Sequence, residues 1–149
     1  MSDFDAIDPR RAICYLPMNG QYRQDVGPNL LADGDMEAVG VGSYVFGNNG
    51  VGSKDNTTPY TGSQCLRVDG AGPSSYPYAA QDITVTGAQY HFRGWGAGDG
   101  VNIKPRLANT FEFWSGTPST TWQECDVIYT ATGARVYLMG NGPTPGFFR

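Results

Sequence analysis

The sequence predicts an all-β fold, a two-sheet antiparallel sandwich, on three observations. Short runs of alternating apolar and polar residues recur roughly every ten residues, with Gly, Asn or Pro turns between them. No segment sustains the ~3.6-residue period of an amphipathic helix over three turns. Gly 21 and Pro 10 together make about a fifth of the 149 residues, against roughly 12% in average usage.

Residues 1–28 differ from the rest and read as an extended N-terminal arm carrying one strand, the alternative being a first sheet strand inside the domain, with 29–149 as the sandwich domain. After an acidic start comes one apolar run, Ala12-Ile13-Cys14-Tyr15-Leu16, which Pro17 is expected to stop. Asn19-Gly20 marks a turn, and 21–28 is polar. From Asn29 onward strands and turns alternate. Residues 41–46 form a short strand, and Asn48-Asn49-Gly50 supplies turn chemistry, because Asn and Gly accept positive φ cheaply. Residues 53–63 read as a polar loop, 64–68 as a strand and 69–75 as a loop. A strand over 78–85 turns at Thr86-Gly87. The clearest alternation is 89–95, with Tyr90, Phe92 and Gly94 on one face and His91, Arg93 and Trp95 on the other. Residues 101–107 alternate until Pro105 demotes their end to an edge. Residues 110–114 are aromatic-rich, and 121–129 with 135–139 read as a closing hairpin about Thr132-Gly133. The tail, 141–149, reads as irregular.

Composition excludes several functions. The net charge is −4, and the ten basic residues form no run longer than Arg10-Arg11, so nucleic acid is not an expected partner. No apolar stretch approaches the ~18 residues of a membrane span, and the N-terminus lacks the apolar core of a signal peptide. Cys14, Cys65 and Cys125 are odd in number and match no zinc spacing, so they read as buried reduced thiols in a chain folding in a cytoplasm. No catalytic signature is present, and no enzyme is expected. The sole histidine, His91, reads as a surface residue, and Glu112, Glu124 and Asp126 as solvent-facing carboxylates. The spaced glycines Gly94, Gly96, Gly98 and Gly100 lead into no helix, which a phosphate-cradling loop requires.

Four segments are more specific than composition. They are NLLADGDME (29–37), YTGSQCLRV (60–68), AQDITV (80–85) and GAQYHFRGW (87–95). Their order resembles the galactose-binding-like jelly roll of many carbohydrate-binding modules, across roughly residues 29–139. The pair GDMEA (34–38) and GSQCLRV (62–68), preceded by AICYLPMNG (12–20), is also similar to virion structural proteins of tailed bacteriophages.

The second resemblance implies a non-enzymatic virion protein, a capsid decoration or cement protein assembled in the host cytoplasm. Its partners would be the major capsid protein or other virion proteins, and it would form homo-oligomers. The contact would come from Ala12, Ile13, Cys14, Tyr15 and Leu16, adding a strand to a neighbour, and from Phe147 and Phe148 in the tail. The alternative is a carbohydrate-binding module or host-glycan adhesin. It would stack sugars on Trp95, Trp114 or Trp122, with Tyr60, Tyr76 and Tyr78 on loops. Related modules hold a calcium ion beside the first strand. Glu37 matches the family acid there, with Asp33 and Asp35 nearby, but the tail lacks the further acid those modules supply. The expectation is therefore no cofactor, with calcium at Asp33 and Glu37 as the lesser alternative.

Overall fold

The computed structural model describes residues 29–70 and 76–140, together with strands at 15–18, 21–24 and 146–148. The chain forms two compact units, Met1–Leu30 and Leu31–Arg149. The first holds an antiparallel hairpin of β1 (Tyr15–Met18) and β2 (Gln21–Gln24), with Tyr15 opposite Gln24 and Met18 opposite Gln21. Pro17 therefore does not stop the run but sits inside β1 opposite Tyr22. A two-stranded ribbon is all edge, where a residue without an N–H is tolerated. Ala12, Ile13 and Cys14 lie outside the described residues.

Among the described residues the second unit carries ten strands. They are β3 (Val45–Gly47), β4 (Gly50–Asp55), β5 (Cys65–Gly70), β6 (Tyr78–Asp82), β7 (Gln89–Ala97), β8 (Arg106–Ala108), β9 (Glu112–Ser115), β10 (Gln123–Thr130), β11 (Arg135–Met139) and β12 (Gly146–Phe148). They form two five-stranded antiparallel sheets, ordered β10-β7-β12-β5-β4 and β3-β6-β11-β8-β9. No helix occurs among the described residues. The all-β antiparallel sandwich is thus the fold.

Alternation fills the space between the sheets. Leu66 and Val68 of β5, Phe148 of β12, Ala79 of β6 and Leu138 of β11 pack with Met36 and Tyr44 from the entry loop. Burial, helped by Asp33 and Asp35, raises the Tyr44 phenol above its ordinary pKa, and its hydroxyl donates to the Asp33 carbonyl at 3.0 Å. Further along, Phe113 stacks on Tyr129 (4.4 Å between centroids) and tilts against Phe92 (4.7 Å). Gly96 faces this interior. A Cβ there would sit 2.6 Å from the Pro105 side chain and 3.2 Å from the Trp114 ring, so only glycine lets the sheets approach at that point.

Several sequence expectations are corrected. The tail is not irregular throughout, because β12 inserts between β5 and β7, with Phe148 opposite Leu66 and Gly96. Phe148 is 2% exposed. It is core, and not a surface contact. The hydrophobic effect that would make a bare Phe148 costly is satisfied within the chain.

The segments 121–129 and 135–139 are not one hairpin, since β10 pairs with β7 and β11 with β6 and β8. Buried Asn109 makes this sheet change. Its Oδ1 accepts from the Thr132 and Gly133 amides (2.7 and 2.6 Å), and its Nδ2 donates to the Arg135 carbonyl (2.6 Å). The polar stretch at 53–63 is strand as far as Asp55, paired along β5. Of 101–107 only the end is strand. The Asp99 carboxylate accepts the amides of Val101, Asn102 and Ile103 at 2.8–2.9 Å, which folds that segment into a turn. The turn residues Asn48 and Asn49 do adopt positive φ (53° and 58°) and carry the chain from one sheet to the other between β3 and β4.

Candidate functional site

Register decides which side chains leave the sandwich. Gly96 and Phe148 face inward, so Trp95, Arg93 and His91 project from the outer face of the β10-β7-β12-β5-β4 sheet. Glu124, Asp126 and Ile128 stand opposite them on β10. Arg67 and Asp69 of β5 share this face, with Arg67 opposite Ser53 and Phe147.

An aromatic cluster occupies one end. The segment 56–64 folds back so that Tyr60 stacks on Trp95, with centroids 4.1 Å apart and planes 21° from parallel. Trp122, just before β10, tilts at 57° to Tyr60 with centroids 6.0 Å apart. Its indole N–H donates to the Thr58 carbonyl at 3.2 Å. Two ties fix the start and end of this loop. The Asp55 carboxylate accepts the Thr57 amide at 2.7 Å, and Glu37 accepts the Ser63 amide at 3.0 Å as well as its hydroxyl. The Thr57 amide, then Arg67, holds the Asp55 carboxyl below its usual range.

Next to the aromatics the face is charged. Arg93 lies 3.3 Å from Asp126 and 3.8 Å from Glu124. Asp126 also bonds His91 Nε2 at 2.6 Å. The His91 side chain is only 5% exposed, so it is not the surface histidine expected; Asp126 reaches it diagonally across the β7–β10 pair. Arg67 makes a two-point contact with Asp69 at 2.8 and 3.0 Å and lies 3.5 Å from Asp55. This combination of flat apolar rings and fixed polar groups suits a ligand with apolar ring faces and a rim of hydroxyls. Glu124 and Asp126 thus share Arg93.

The structure brings Trp95 and Trp122 together and leaves Trp114 out. The Trp114 ring lies between the sheets, against Gly96. Tyr78 packs edge-on against Tyr137 on the other sheet (4.9 Å), and Tyr76 lies under Arg106 (5.7 Å). Glu112 pairs with Arg106. Tyr15, Leu16 and Phe147 lie in β1 and β12. Cys65 and Cys125 are buried, and burial pushes the Cys125 thiol up to about 12; Cys14 lies outside the described residues.

The residues proposed for calcium do not fit it. Asp33 Oδ2 is 2.5 Å from the Lys54 ammonium, and Oδ1 accepts the Ala38 amide at 2.7 Å. Glu37 points to Ser63, and Asp35 accepts the Glu37 amide at 3.3 Å. A dication needs six to eight oxygens and no competing cation. No group of three or more His, Cys, Asp or Glu is placed to hold a metal among the described residues.

No protein-family model matches the sequence, and no curated protein is significantly similar to it. Solved structures share the fold. The C-terminal family 22 carbohydrate-binding module of Clostridium thermocellum Xyn10B aligns with a TM-score of 0.56 at 14% identity, over 75% of this chain and 84% of that one. The CBM22-2 xylan-binding domain of Paenibacillus barcinonensis Xyn10C aligns at 0.54 and 11%, over 78% and 91%. A match to the C. thermocellum Xyn10B CBM22-1–GH10 pair, solved with xylohexaose, has a TM-score of 0.55 at 12% identity. It spans 74% of this chain but 25% of that two-module chain. At 11–14% identity these likenesses show a shared fold.

Proposed function

We propose that the sandwich is a non-catalytic glycan-binding module. Its ligand lies along the outer face of the β10-β7-β12-β5-β4 sheet, across Tyr60, Trp95 and Trp122. The observation that carries this reading is the Tyr60–Trp95 stack with Trp122 tilted beside it, on a face that also presents Arg93, Glu124 and Asp126. The apolar side of a sugar ring meets the aromatic corner, and its hydroxyls exchange hydrogen bonds with the adjoining carboxylates and guanidinium. Support comes from the shared fold with modules described as xylan-binding, which makes xylan the first ligand to test. Fold alone does not assign a ligand; the aromatic corner carries the reading.

The virion reading relied on likeness in 12–20 and in two short motifs, and neither the neighbours nor the described side chains add to it. The test is affinity electrophoresis in gels containing soluble xylan or other neutral polysaccharides. Retarded migration that Trp95→Ala abolishes supports the proposal. Unretarded migration in every gel refutes it.

A further inference from the structure

We infer that the Lys54 ammonium is the resident cation of loop 33–38, so this loop holds its shape without a metal ion. Lys54 stands on β4 opposite Leu66, a fully buried residue, so the alternation puts it at a core-facing position where an apolar side chain is the rule. Its side chain is 9% exposed and that of Asp33 is 1%. An ammonium removed from water is costly unless acceptors replace the lost hydration. The loop supplies them: Asp33 Oδ2 at 2.5 Å and the Met36 carbonyl at 2.6 Å.

The backbone is bent to this end. Asp33 and Met36 both adopt left-handed φ, 56° and 58°, which non-glycine residues enter at a cost. The Met36 amide donates to the Asp33 carbonyl at 3.0 Å, and Tyr44 donates to the same carbonyl and to the Met36 sulfur (3.1 Å). Carboxylate and carbonyl thus converge on one point, and a tethered cation fills it. Beyond that point Glu37 holds Ser63, and the Ala38 carbonyl accepts from Gln64 at 3.0 Å, so the brace reaches the loop that carries Tyr60.

The test is thermal unfolding of the whole chain followed by circular dichroism, and it stands apart from the glycan reading because it needs no sugar. The wild-type midpoint is expected to be the same in chelator and in millimolar calcium. Lys54→Ala is expected to lower the midpoint by about 10 °C. n-Propylammonium, which matches the atoms removed, is expected to restore part of that loss, whereas n-propanol does not. If Lys54→Ala fails to fold, Lys54→Met is compared with the double variant Asp33→Asn/Lys54→Met. The double variant is expected to be the more stable, since it leaves no unpaired buried carboxylate. A wild-type midpoint that rises with calcium or falls with chelator overturns the inference. So does an unchanged Lys54→Ala midpoint, or a double variant no more stable than Lys54→Met.

Discussion

Replacing Tyr60 with alanine separates the aromatic corner's role in binding from its role in folding. Tyr60 is 40% exposed, which leaves about 80 Å² of a roughly 200 Å² side chain open to a ligand. A sugar ring stacked on one side covers about half of that, worth ~1 kcal/mol at ~25 cal/mol per Å². Contact between sugar C–H groups and the ring's negative face adds about 1 kcal/mol. Losing both, ~2 kcal/mol, corresponds to about 30-fold weaker binding. The folding cost is smaller, about 1 kcal/mol, because the variant loses chiefly its stack on Trp95. Isothermal titration calorimetry with xylohexaose, or whichever oligosaccharide binds best in the electrophoresis screen, reads the affinity. A thermal melt confirms folding. Tyr60→Phe keeps the ring and is expected to bind within about threefold of wild type, the loss of at most one hydroxyl hydrogen bond. A folded Tyr60→Ala protein that binds as tightly as wild type refutes the reasoning.

Asn109→Ala leaves the Thr132 and Gly133 amides and the Arg135 carbonyl without their partner, so urea unfolding is expected to show a loss of about 3 kcal/mol or more. A loss below about 1 kcal/mol counts against the sheet-change role. Asp55 and Asp82 titrate below the ordinary carboxylate range, Asp55 through the Thr57 amide and Asp82 through its two-point pairing with Arg135. A depressed folded pKa means their stabilising effect is whole above the unfolded value of about 4 and is lost as pH falls through the folded value. Asp55→Asn/Asp82→Asn is therefore expected to flatten the acid limb of stability below about pH 4 and leave the neutral region's slope unchanged. An unaltered acid limb contradicts this. Removing residues 1–28 is expected to shift the melting midpoint of the sandwich by less than about 3 °C, because they belong to a separate unit. A collapse of the β signal contradicts that division.

The sandwich was legible because strand alternation is a local signal. β11 spans the residues its alternation marks, and the interior of β7 does as well. Pairing between distant segments is not local, and there the reading failed. Glycines and prolines at 141–146 hid β12, whose place depends on the distant strands β5 and β7 meeting Phe148. Thr132-Gly133 resembles a hairpin turn until Asn109, more than twenty residues away, redirects it.

The site divides the same way. Alternation put Trp95, Arg93 and His91 on one face, but only the packing at Gly96 shows that this face is the outer one. Three tryptophans looked equivalent in sequence; the fold joins two of them through Tyr60 and places the third between the sheets. Lys54 lay in a stretch read as a polar loop, and no local pattern marks a lysine whose partners lie on another loop.

The most direct measurement is ¹H–¹⁵N NMR of the three tryptophan indole N–H groups during titration with xylohexaose or a better-binding oligosaccharide from the screen. The indoles of Trp95 and Trp122 should shift in a saturable manner, while that of Trp114, held between the sheets, stays in place. Saturable shifts of Trp114 alone, or binding that leaves Trp95 and Trp122 unmoved, would contradict a ligand on the outer face.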